Sequence, residues 1–258
     1  MPRSYEVDLM RMQFDHGLGI FDSACDEWAV VSNETLSMNC KSDAEEYDTL
    51  VMPGSLEAPK GGQYGTTMNT QVFRRMWDSI IADPRPWAHD FVVKVDPDCL
   101  FFPGRLKSLL SPQAGLLSAE EPPGGVYINN CFLGLHGPIE VFSKKALGNY
   151  NSGKKKCVDG DPGKHGQEDW FLRECFKLLH VEKVDAYNIL MEGENACKEK
   201  PSAWDPDRPP CFAPEAAFHP FKTRESMLHC WAEATSHHVA NPLRPVTDAP
   251  SGANNRHG

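Results

Sequence analysis

Two aspartates at the end of a hydrophobic run are the residues of this chain best suited to bind a metal ion. Residues 91–95 are apolar apart from Lys94, and Asp96-Pro97-Asp98 follows them directly. A buried strand that delivers carboxylates at its carboxyl end places them where open α/β sheets bind ligands. Carboxylate oxygens suit Mg²⁺ or Mn²⁺, which in turn bind substrate phosphates. Asp-Pro-Asp is also good turn chemistry, so a purely structural turn is the alternative.

The same motif also opens the phosphatases that use an aspartyl nucleophile, which gives a second enzymatic interpretation. In those enzymes the strand lies near the start of the core, whereas here it lies about a third of the way along the chain. The adjacent pair of aspartates that they carry on a later strand end is missing from this sequence. The aspartyl phosphatase is therefore the alternative enzyme class for this motif.

A second acidic pair opens a predicted helix. Glu168 and Asp169 follow His165-Gly166-Gln167 and precede apolar residues at helical spacing. Acidic residues favour helix N-termini through the helix dipole, which is the structural explanation. In the functional explanation, Asp169 is a general base that takes the proton of an acceptor hydroxyl.

A late histidine and a late lysine form the third candidate group. His219 and Lys222 lie in the segment 217–222, among aromatic residues. A histidine in that setting is more often a packed one with satisfied hydrogen bonds. The functional alternative makes His219 a metal ligand and Lys222 a counter-charge for a diphosphate.

An alternating series of strands and helices must position these groups. Hydrophobic spacing predicts helices over residues 5–16, 68–81, 105–110 and 168–179, the second capped by Thr66 or Thr67 and stopped at Asp83-Pro84. Apolar runs predict strands at residues 20–21, 28–32, 91–95, 115–117, 126–128 and 139–142. Residues 39–62 and 148–166 are predicted loops. The order predicts an α/β domain over residues 1–231, with a disordered polar tail at 232–258.

The composition excludes several classes of function. The formal net charge of the 258 residues is −10, so we expect no nucleic-acid surface. The only compact basic run, Lys154-Lys155-Lys156, is predicted to lie in a solvated loop. No run of about 18 apolar residues is present, so we expect no membrane span in this chain. No basic-then-apolar signal segment opens the chain either.

The cysteines bear on the compartment. The chain has nine of them and no CxxC pair, which favours disulfides over a zinc site. Together with the glycosylation sequon Asn33-Glu34-Thr35, they favour the secretory pathway. Buried reduced cysteines in a cytosolic enzyme are the alternative.

Taken in order, these groups resemble the GT-A glycosyltransferases related to Fringe and to the β1,3-galactosyl and core-1 galactosyltransferases. That family has a helix before a hydrophobic–Lys–x–Asp-x-Asp strand end, similar to residues 68–98 here. A glycine-bearing segment resembles residues 134–146, and a Glu-Asp helix with a cysteine one turn on resembles residues 168–175. The similarity covers roughly residues 60–225. It implies a Rossmann-like nucleotide-diphospho-sugar transferase fold, with a mixed sheet flanked by helices.

The resemblance also implies a role for each of the site residues. Asp98 and His219 would bind Mn²⁺ or Mg²⁺, and Asp96 would contact the ribose, or the metal through water. Asp169, beside Glu168, would be the base for inverting transfer. The expected donor-binding neighbours are Lys94, Asn129, Asn130, Gly137 and Lys222. The implied reaction moves a hexose from a UDP-sugar to a hydroxyl of a glycan or glycoprotein acceptor in the Golgi lumen.

Two departures from the family pattern leave alternatives open. Pro97 stands where many relatives have Asp. A GT-A domain also begins with a strand that receives the nucleotide base, whereas residues 1–16 are predicted to be helical. Either Ile20-Phe21 has that role, with Asp22 and Asp26, or this chain lacks its first strand. A non-catalytic GT-A-like module that binds nucleotide or glycan without turnover is therefore the alternative function from a different class.

Overall fold

The computed structural model describes residues 4–38, 49–61, 65–160, 166–193, 197 and 211–236. Within these ranges the helices are α1 (Tyr5–His16), α2 (Thr70–Ala82), α3 (Pro103–Leu110), α4 (Lys144–Asp159), α5 (Glu168–Leu178) and α6 (Arg224–Ser236). The strands are β1 (Val31–Ser32), β2 (Leu50–Val51), β3 (Lys60–Gly61), β4 (Thr66–Thr67), β5 (Phe91–Val95), β6 (Leu100–Phe101), β7 (Val126–Asn129), β8 (Ile139–Ser143), β9 (Glu182–Asp185), β10 (Leu190–Glu192) and β11 (Ala217–His219).

The main sheet has four strands in the order β5-β8-β7-β9. β8 is antiparallel to both β5 and β7, whereas β7 and β9 are parallel, so the sheet is mixed. A smaller sheet, β10-β11-β6, combines a parallel and an antiparallel pair. The chain is therefore a mixed α/β protein with mixed sheets flanked by helices, in agreement with that part of the prediction.

The central strands β7 and β8 are buried along their whole length, which explains why they are mostly apolar without alternation. Tyr127 and Phe142 are register partners and pack on Phe176 of α5, with Trp77 of α2 in the same core. The next partners, Ile128 and Val141, belong to a second core on the opposite face, which also holds residues of α3 and β10.

A third core fixes the smaller sheet against α1 and α6. Leu9 and Met12 of α1 pack there with Leu100 and Phe218 of the sheet and Met227 of α6. α1 begins at the N-cap Ser4, whose hydroxyl accepts the amide proton of Glu6, and it ends at Gly17 with φ +61°. The capped helix is thereby held over the turn that follows β5.

Three disulfides lie within the described residues: Cys131–Cys197, Cys157–Cys175 and Cys211–Cys230. Among the described cysteines, Cys25 and Cys99 are free thiols. Such bridges indicate an oxidising secretory or extracellular environment, which agrees with the expectation from the cysteine pattern. In the part of the chain that the structure describes, no helix has the length and apolarity to cross a membrane.

Most predicted elements of the core are confirmed. The helix over residues 5–16 and the strand over 91–95 have the predicted bounds. The helices begun at Pro103 and Glu168, and the strands begun at Val126 and Ile139, match to within a few residues. α2 also stops at Asp83 as predicted. Its N-cap position is Asn69 rather than Thr66 or Thr67, because those threonines lie in β4 and pair with β3.

The predicted loop at residues 148–166 is wrong, because α4 continues to Asp159. Residues 161–165 lie outside the described residues. Gly153 faces the core, and a Cβ there would overlap the side chain of Leu179. The glycine therefore allows close packing within a helix. The lysine run is on this helix, with Lys154 paired to Asp78 at 2.6 Å.

Other boundaries also differ from the prediction. Ile20-Phe21 lie in a 3₁₀ turn (Gly19–Phe21), since Gly17 and Gly19 take positive φ angles. Gly115, with φ +66°, ends another 3₁₀ turn, so no strand forms at residues 115–117. The strand predicted at 28–32 contains only Val31–Ser32, and the predicted loop at 39–62 contains β2 and β3 among its described residues. α6 continues to Ser236, and residues 237–258 of the predicted tail lie outside the described residues.

Candidate active site

The acidic motif lies in a turn directly after β5. The amide of Asp96 donates to the carbonyl of Pro138 at 3.0 Å, and the amide of Cys99 donates to the carbonyl of Asp96 at 3.0 Å. Buried Gln13 of α1 donates to the carbonyl of Pro97 at 3.0 Å. The turn is therefore held by the main sheet on one side and by α1 on the other, which fixes the backbone under both carboxylates.

Asp96, Asp98 and His219 come together as predicted. Each offers one ligand atom, and these atoms lie within 4.8 Å of one another. The amide of Phe221 donates to the carbonyl of Asp98 at 2.9 Å, so the segment after β11 is fixed against the acidic turn. Two carboxylates and an imidazole are a donor set that can hold a divalent metal ion.

The charges of these groups depend on one another. Burial would raise the pKa of Asp98, but His219 and Lys222 outweigh burial and hold that pKa well below its usual range. Burial would lower the pKa of His219, whereas hydrogen bonds and charges from Asp98 and Glu192 raise it to about 9. His219 therefore carries a proton at neutral pH and must lose it to become a metal ligand.

Lys222 and Tyr5 both contact the second oxygen of Asp98. The Tyr5 hydroxyl donates to Asp98 Oδ2 at 3.0 Å, and Lys222 forms a short ion pair with the same oxygen. Lys222 Nζ also donates to the Tyr5 hydroxyl at 2.7 Å. The side chain of Lys222 is 59% exposed, so its ammonium group is reachable from solvent. Lys222 thus lies beside the metal ligands, as predicted, whereas Tyr5 was not foreseen.

Glu192 is a second residue that sequence reasoning missed. It is the register partner of His219 in the parallel pair β10–β11. Its oxygens both lie 3.0 Å from His219 Nδ1, and one lies 3.4 Å from Nε2 of His136. Burial would raise the pKa of Glu192, but the two histidines outweigh burial and lower it. Glu192 is therefore an ionised carboxylate between two imidazoles.

His136 connects this carboxylate with Asp169. Its Nδ1 lies 3.6 Å from Asp169 Oδ2, and its Nε2 faces Glu192. Burial would lower the pKa of His136, but the two carboxylates raise it to about 10. A continuous series of acidic and basic groups therefore runs from Asp98 through His219, Glu192 and His136 to Asp169.

The two carboxylates at the start of α5 have different environments. The amide of Trp170 donates to Asp169 Oδ1 at 2.7 Å. Burial would raise the pKa of Asp169, but His136 and this amide outweigh burial and lower it. Burial raises the pKa of Glu168, although Lys94 opposes the shift. Asp169 is therefore the more acidic of the two carboxyl groups, and it is ionised at neutral pH. His165, just before this helix, lies outside the described residues.

Lys94 contacts both acidic segments of the candidate site. Its ammonium group lies 2.5 Å from Asp96 Oδ1 and 3.7 Å from Glu168 Oε1, and it donates to the carbonyl of Gly137 at 2.6 Å. The side chain is only 6% exposed. Its contacts within the structure are thus to protein groups, which makes it a support for Asp96. The donor-binding role that the resemblance implies for Lys94 stays a prediction.

Asn129, Asn130 and Gly137 support the surrounding loops. Asn129 donates to Asp185 at 2.6 Å across β7 and β9. The carboxamide of Asn130 accepts the amide proton of His136 at 2.8 Å and donates to the carbonyls of His136 and Ile139 at 2.8 and 2.6 Å. A Cβ at Gly137 would lie 2.6 Å from Glu168 Oε1, so a larger residue there would force the Glu168 side chain to move. Asn130 therefore positions His136, and Gly137 leaves room for Glu168.

A cavity of about 610 Å³ lies elsewhere, along the outer edge of β5. Trp28, Val31, Phe91 and Leu106 are among its lining residues, but none of Asp96, Asp98, Asp169 and His219 is. Ile20 and Asp26, the alternative nucleotide-base residues from the sequence, line this cavity, whereas Asp22 does not. The convergence of side chains, and not the cavity, therefore locates the candidate site.

No protein-family model matches the chain, and no curated protein matches it either. The residues themselves therefore carry the functional argument. Three segments far apart in sequence bring a metal-ligand set, an ionised carboxylate and an exposed ammonium group into one connected cluster.

Proposed function

We propose that this chain is a metal-dependent glycosyltransferase of the GT-A type, which transfers a hexose from a UDP-sugar to a hydroxyl of a glycan or glycoprotein. The convergence of Asp96, Asp98 and His219, linked through Glu192 and His136 to Asp169, carries the proposal. A diphosphate leaving group needs positive charge, and an acceptor hydroxyl needs a base. The cluster contains groups that can supply both the positive charge and the base.

The residues at the metal position act on the donor. Asp98 and His219 hold Mn²⁺ or Mg²⁺, with Asp96 at the ribose or at a water ligand. The metal, when bound, neutralises charge on the diphosphate leaving group. Lys222 adds a mobile positive charge at the same position, because its ammonium group is exposed and already pairs with a carboxylate.

On the acceptor side, Asp169 accepts the proton of the attacking hydroxyl. Its lowered pKa keeps it ionised at neutral pH, and the bond from the Trp170 amide fixes its orientation. Attack assisted by a separate base, opposite the departing diphosphate, gives inversion at the anomeric carbon. Glu168 keeps Lys94 in place. The three disulfides support action in the secretory pathway, of which the Golgi lumen is the compartment we propose.

One observation favours a second candidate, a GT-A-like module that binds nucleotide or glycan without turnover. The imidazolium of His136 pairs with Asp169 and lowers its pKa, and a base of low pKa is a weak one. In the transferase, His136 must move or lose its proton when the acceptor binds. In the module, the pair persists.

Calorimetric titration of UDP with and without Mn²⁺ tests the donor side. We expect binding that requires Mn²⁺ and that Asp98→Ala abolishes. Asp78→Ala is the matched control, because Asp78 is an exposed aspartate paired with Lys154 and lies outside the cluster. The absence of UDP affinity at millimolar concentration would defeat both the transferase and the module.

A panel of UDP-sugars and glycan acceptors then separates the two candidates. For the transferase we expect UDP release that depends on the acceptor and that Asp169→Asn lowers by at least about 10²-fold. The module binds UDP equally well and releases none. Phosphate release from a phosphomonoester, with no effect of UDP, would instead support the aspartyl phosphatase.

A further inference from the structure

Glu192 lies behind the metal position, on the far side of the imidazole of His219. The two residues are opposite each other in parallel strands, and backbone bonding continues beyond the pair, since the amide of Gly193 donates to the carbonyl of His219 at 2.7 Å. The side chain of Glu192 is 10% exposed and that of His219 is 17% exposed. The strand register therefore holds the two side chains next to each other.

The geometry assigns a different partner to each nitrogen of His219. Nδ1 lies 3.0 Å from both oxygens of Glu192, whereas Nε2 lies 3.4 Å from Asp98 Oδ1 and points to the acidic turn. An ionised carboxylate only accepts hydrogen bonds, so Nδ1 must carry the proton. The lone pair of the neutral imidazole is then on Nε2, the atom that faces the other two candidate ligands.

Glu192 is itself held in place by a second histidine. His136 Nε2 lies 3.4 Å from Glu192 Oε2, and the backbone of His136 is fixed by the buried carboxamide of Asn130. The carboxylate therefore cannot rotate away from His219 without losing its other partner. The position of the metal ligand is thus set by a residue that is not a ligand.

We propose that Glu192 is the positioning residue of the metal site: it holds His219 with Nδ1 protonated and Nε2 directed at the metal. This inference rests on the metal dependence in the proposed function, but not on sugar transfer. Carboxylates behind ligand histidines raise the basicity of the imidazole and fix its orientation.

Pulsed electron paramagnetic resonance of the Mn²⁺-loaded protein tests the inference, because modulation by imidazole nitrogen reports directly whether a histidine coordinates the metal. We expect nitrogen modulation in the wild type, its loss in His219→Ala, and its loss in Glu192→Leu. Glu192→Gln retains it, since the amide oxygen can still accept the proton of Nδ1. Glu182→Leu, an exposed glutamate of β9, is the matched control and leaves the signal unchanged.

The nitrogen modulation tests the inference directly, whereas the affinity for Mn²⁺ is subject to two opposing effects. Removing the charge of Glu192 lowers the pKa of His219 and so eases its deprotonation, which opposes the expected loss of affinity of about 10- to 100-fold. Wild-type nitrogen modulation in a folded Glu192→Leu variant would overturn the inference, as would its absence from the wild type. If Glu192→Leu does not fold, loss of the signal in folded Glu192→Gln also contradicts it. A chain that coordinates Mn²⁺ through His219 but releases no UDP leaves the inference intact while the proposed transfer fails.

Discussion

Lys94→Met should destabilise the fold strongly at neutral pH. The substitution keeps the length and the apolar stem of the side chain but removes the ammonium group. That group pairs with Asp96 and Glu168 and faces Glu140, its register partner in β8. Glu140 is fully buried, and neither of its carboxyl oxygens has a hydrogen-bond partner among the residues that the structure describes. The variant would therefore leave an acidic cluster in the protein interior with no cation.

The structure gives the size of the effect. At the observed separations of 2.5 and 3.7 Å from Asp96 and Glu168, the gross attractions are about 7 and 4 kcal/mol for an effective dielectric constant of about 20. Desolvation of the ammonium offsets most of this, and removing one partner of a buried pair costs about 3–5 kcal/mol in practice. Because domains are stable by about 5–15 kcal/mol, the variant should fold but with little reserve.

The loss in free energy of unfolding should be larger at high pH than at low pH. Burial raises the pKa of Glu168, and burial raises the pKa of Glu140 well above its usual range, while Lys94 opposes both shifts. Without Lys94 these values rise further. Such a carboxyl group has a higher pKa in the folded protein than in the unfolded chain, where it is near 4.5. As pH rises from the unfolded pKa to the folded pKa, the free energy of unfolding falls by about 1.4 kcal/mol per pH unit. The deficit should therefore be small at pH 4.5 and large at pH 8.

Urea denaturation at pH 4.5, 6 and 8, followed by tryptophan fluorescence under non-reducing conditions, measures the deficit. Lys107→Met is the matched control. Its ammonium pairs with Asp26 at 2.7 Å, but the side chains are 50% and 63% exposed, so its loss should have no measurable effect on stability at any of these pH values. A Lys94→Met deficit below about 1 kcal/mol, or one independent of pH, would refute the argument.

Three further predictions concern other parts of the cluster and its frame. Asn130→Ala removes three buried hydrogen bonds around His136 and should cost about 2–4 kcal/mol in urea denaturation; a loss below about 1 kcal/mol would contradict this role. His219 has a pKa of about 9 and must be neutral to bind metal, so calorimetric Mn²⁺ affinity should rise about tenfold per pH unit from pH 7 and level off near pH 9. An affinity independent of pH would exclude His219 as a ligand. Replacing Cys157 and Cys175 with alanine opens a bridge of sequence separation 18 and should cost about 3 kcal/mol in urea denaturation under non-reducing conditions; unchanged stability would contradict this.

The elements that could be predicted from the sequence are those in which one physical cause dominates. β5 and β8 pack against a core on each face, so their apolar runs identify them directly. The prediction for α4 was wrong because two structural requirements compete in this helix. Its inward face requires glycine at position 153 to admit Leu179, and its outward face carries lysines, so a packed helix has the composition of a loop. Local composition cannot show that a glycine faces a neighbouring side chain.

The same limit applies to the candidate site. Asp96 and Asp98 could be found because the strand and its acidic end are contiguous in sequence. Glu192 could not, since its importance arises from the parallel register that places it opposite His219, across a gap of 27 residues. Tyr5 reaches Asp98 only because α1 packs over the acidic turn. Residues that act through others carry no signal of their own until the pairing of the chain is known.

The proposed function, together with this network, predicts how metal and nucleotide would influence each other. Each carboxylate at the candidate metal position has a cationic partner: Lys94 pairs with Asp96, and Lys222 pairs with Asp98 Oδ2. A divalent cation and this ammonium therefore compete for one carboxylate. A diphosphate, in contrast, offers Lys222 a new partner and so leaves Asp98 free for the metal. Mn²⁺ and UDP should consequently bind with positive coupling, and by linkage each raises the affinity of the other by the same factor.

Lys222→Met separates these two roles because it changes them in opposite directions. Without the competing ammonium, Mn²⁺ alone should bind a few-fold more tightly, on the order of 1 kcal/mol, because the Lys222 end of the ion pair is exposed to solvent. UDP in the presence of Mn²⁺ should bind more weakly, because the diphosphate loses a counter-charge. Calorimetry of Mn²⁺ alone and of UDP at saturating Mn²⁺ measures both. A variant that weakens Mn²⁺ binding by itself would show that Lys222 supports Asp98 instead of competing for it, and the coupling argument would fail.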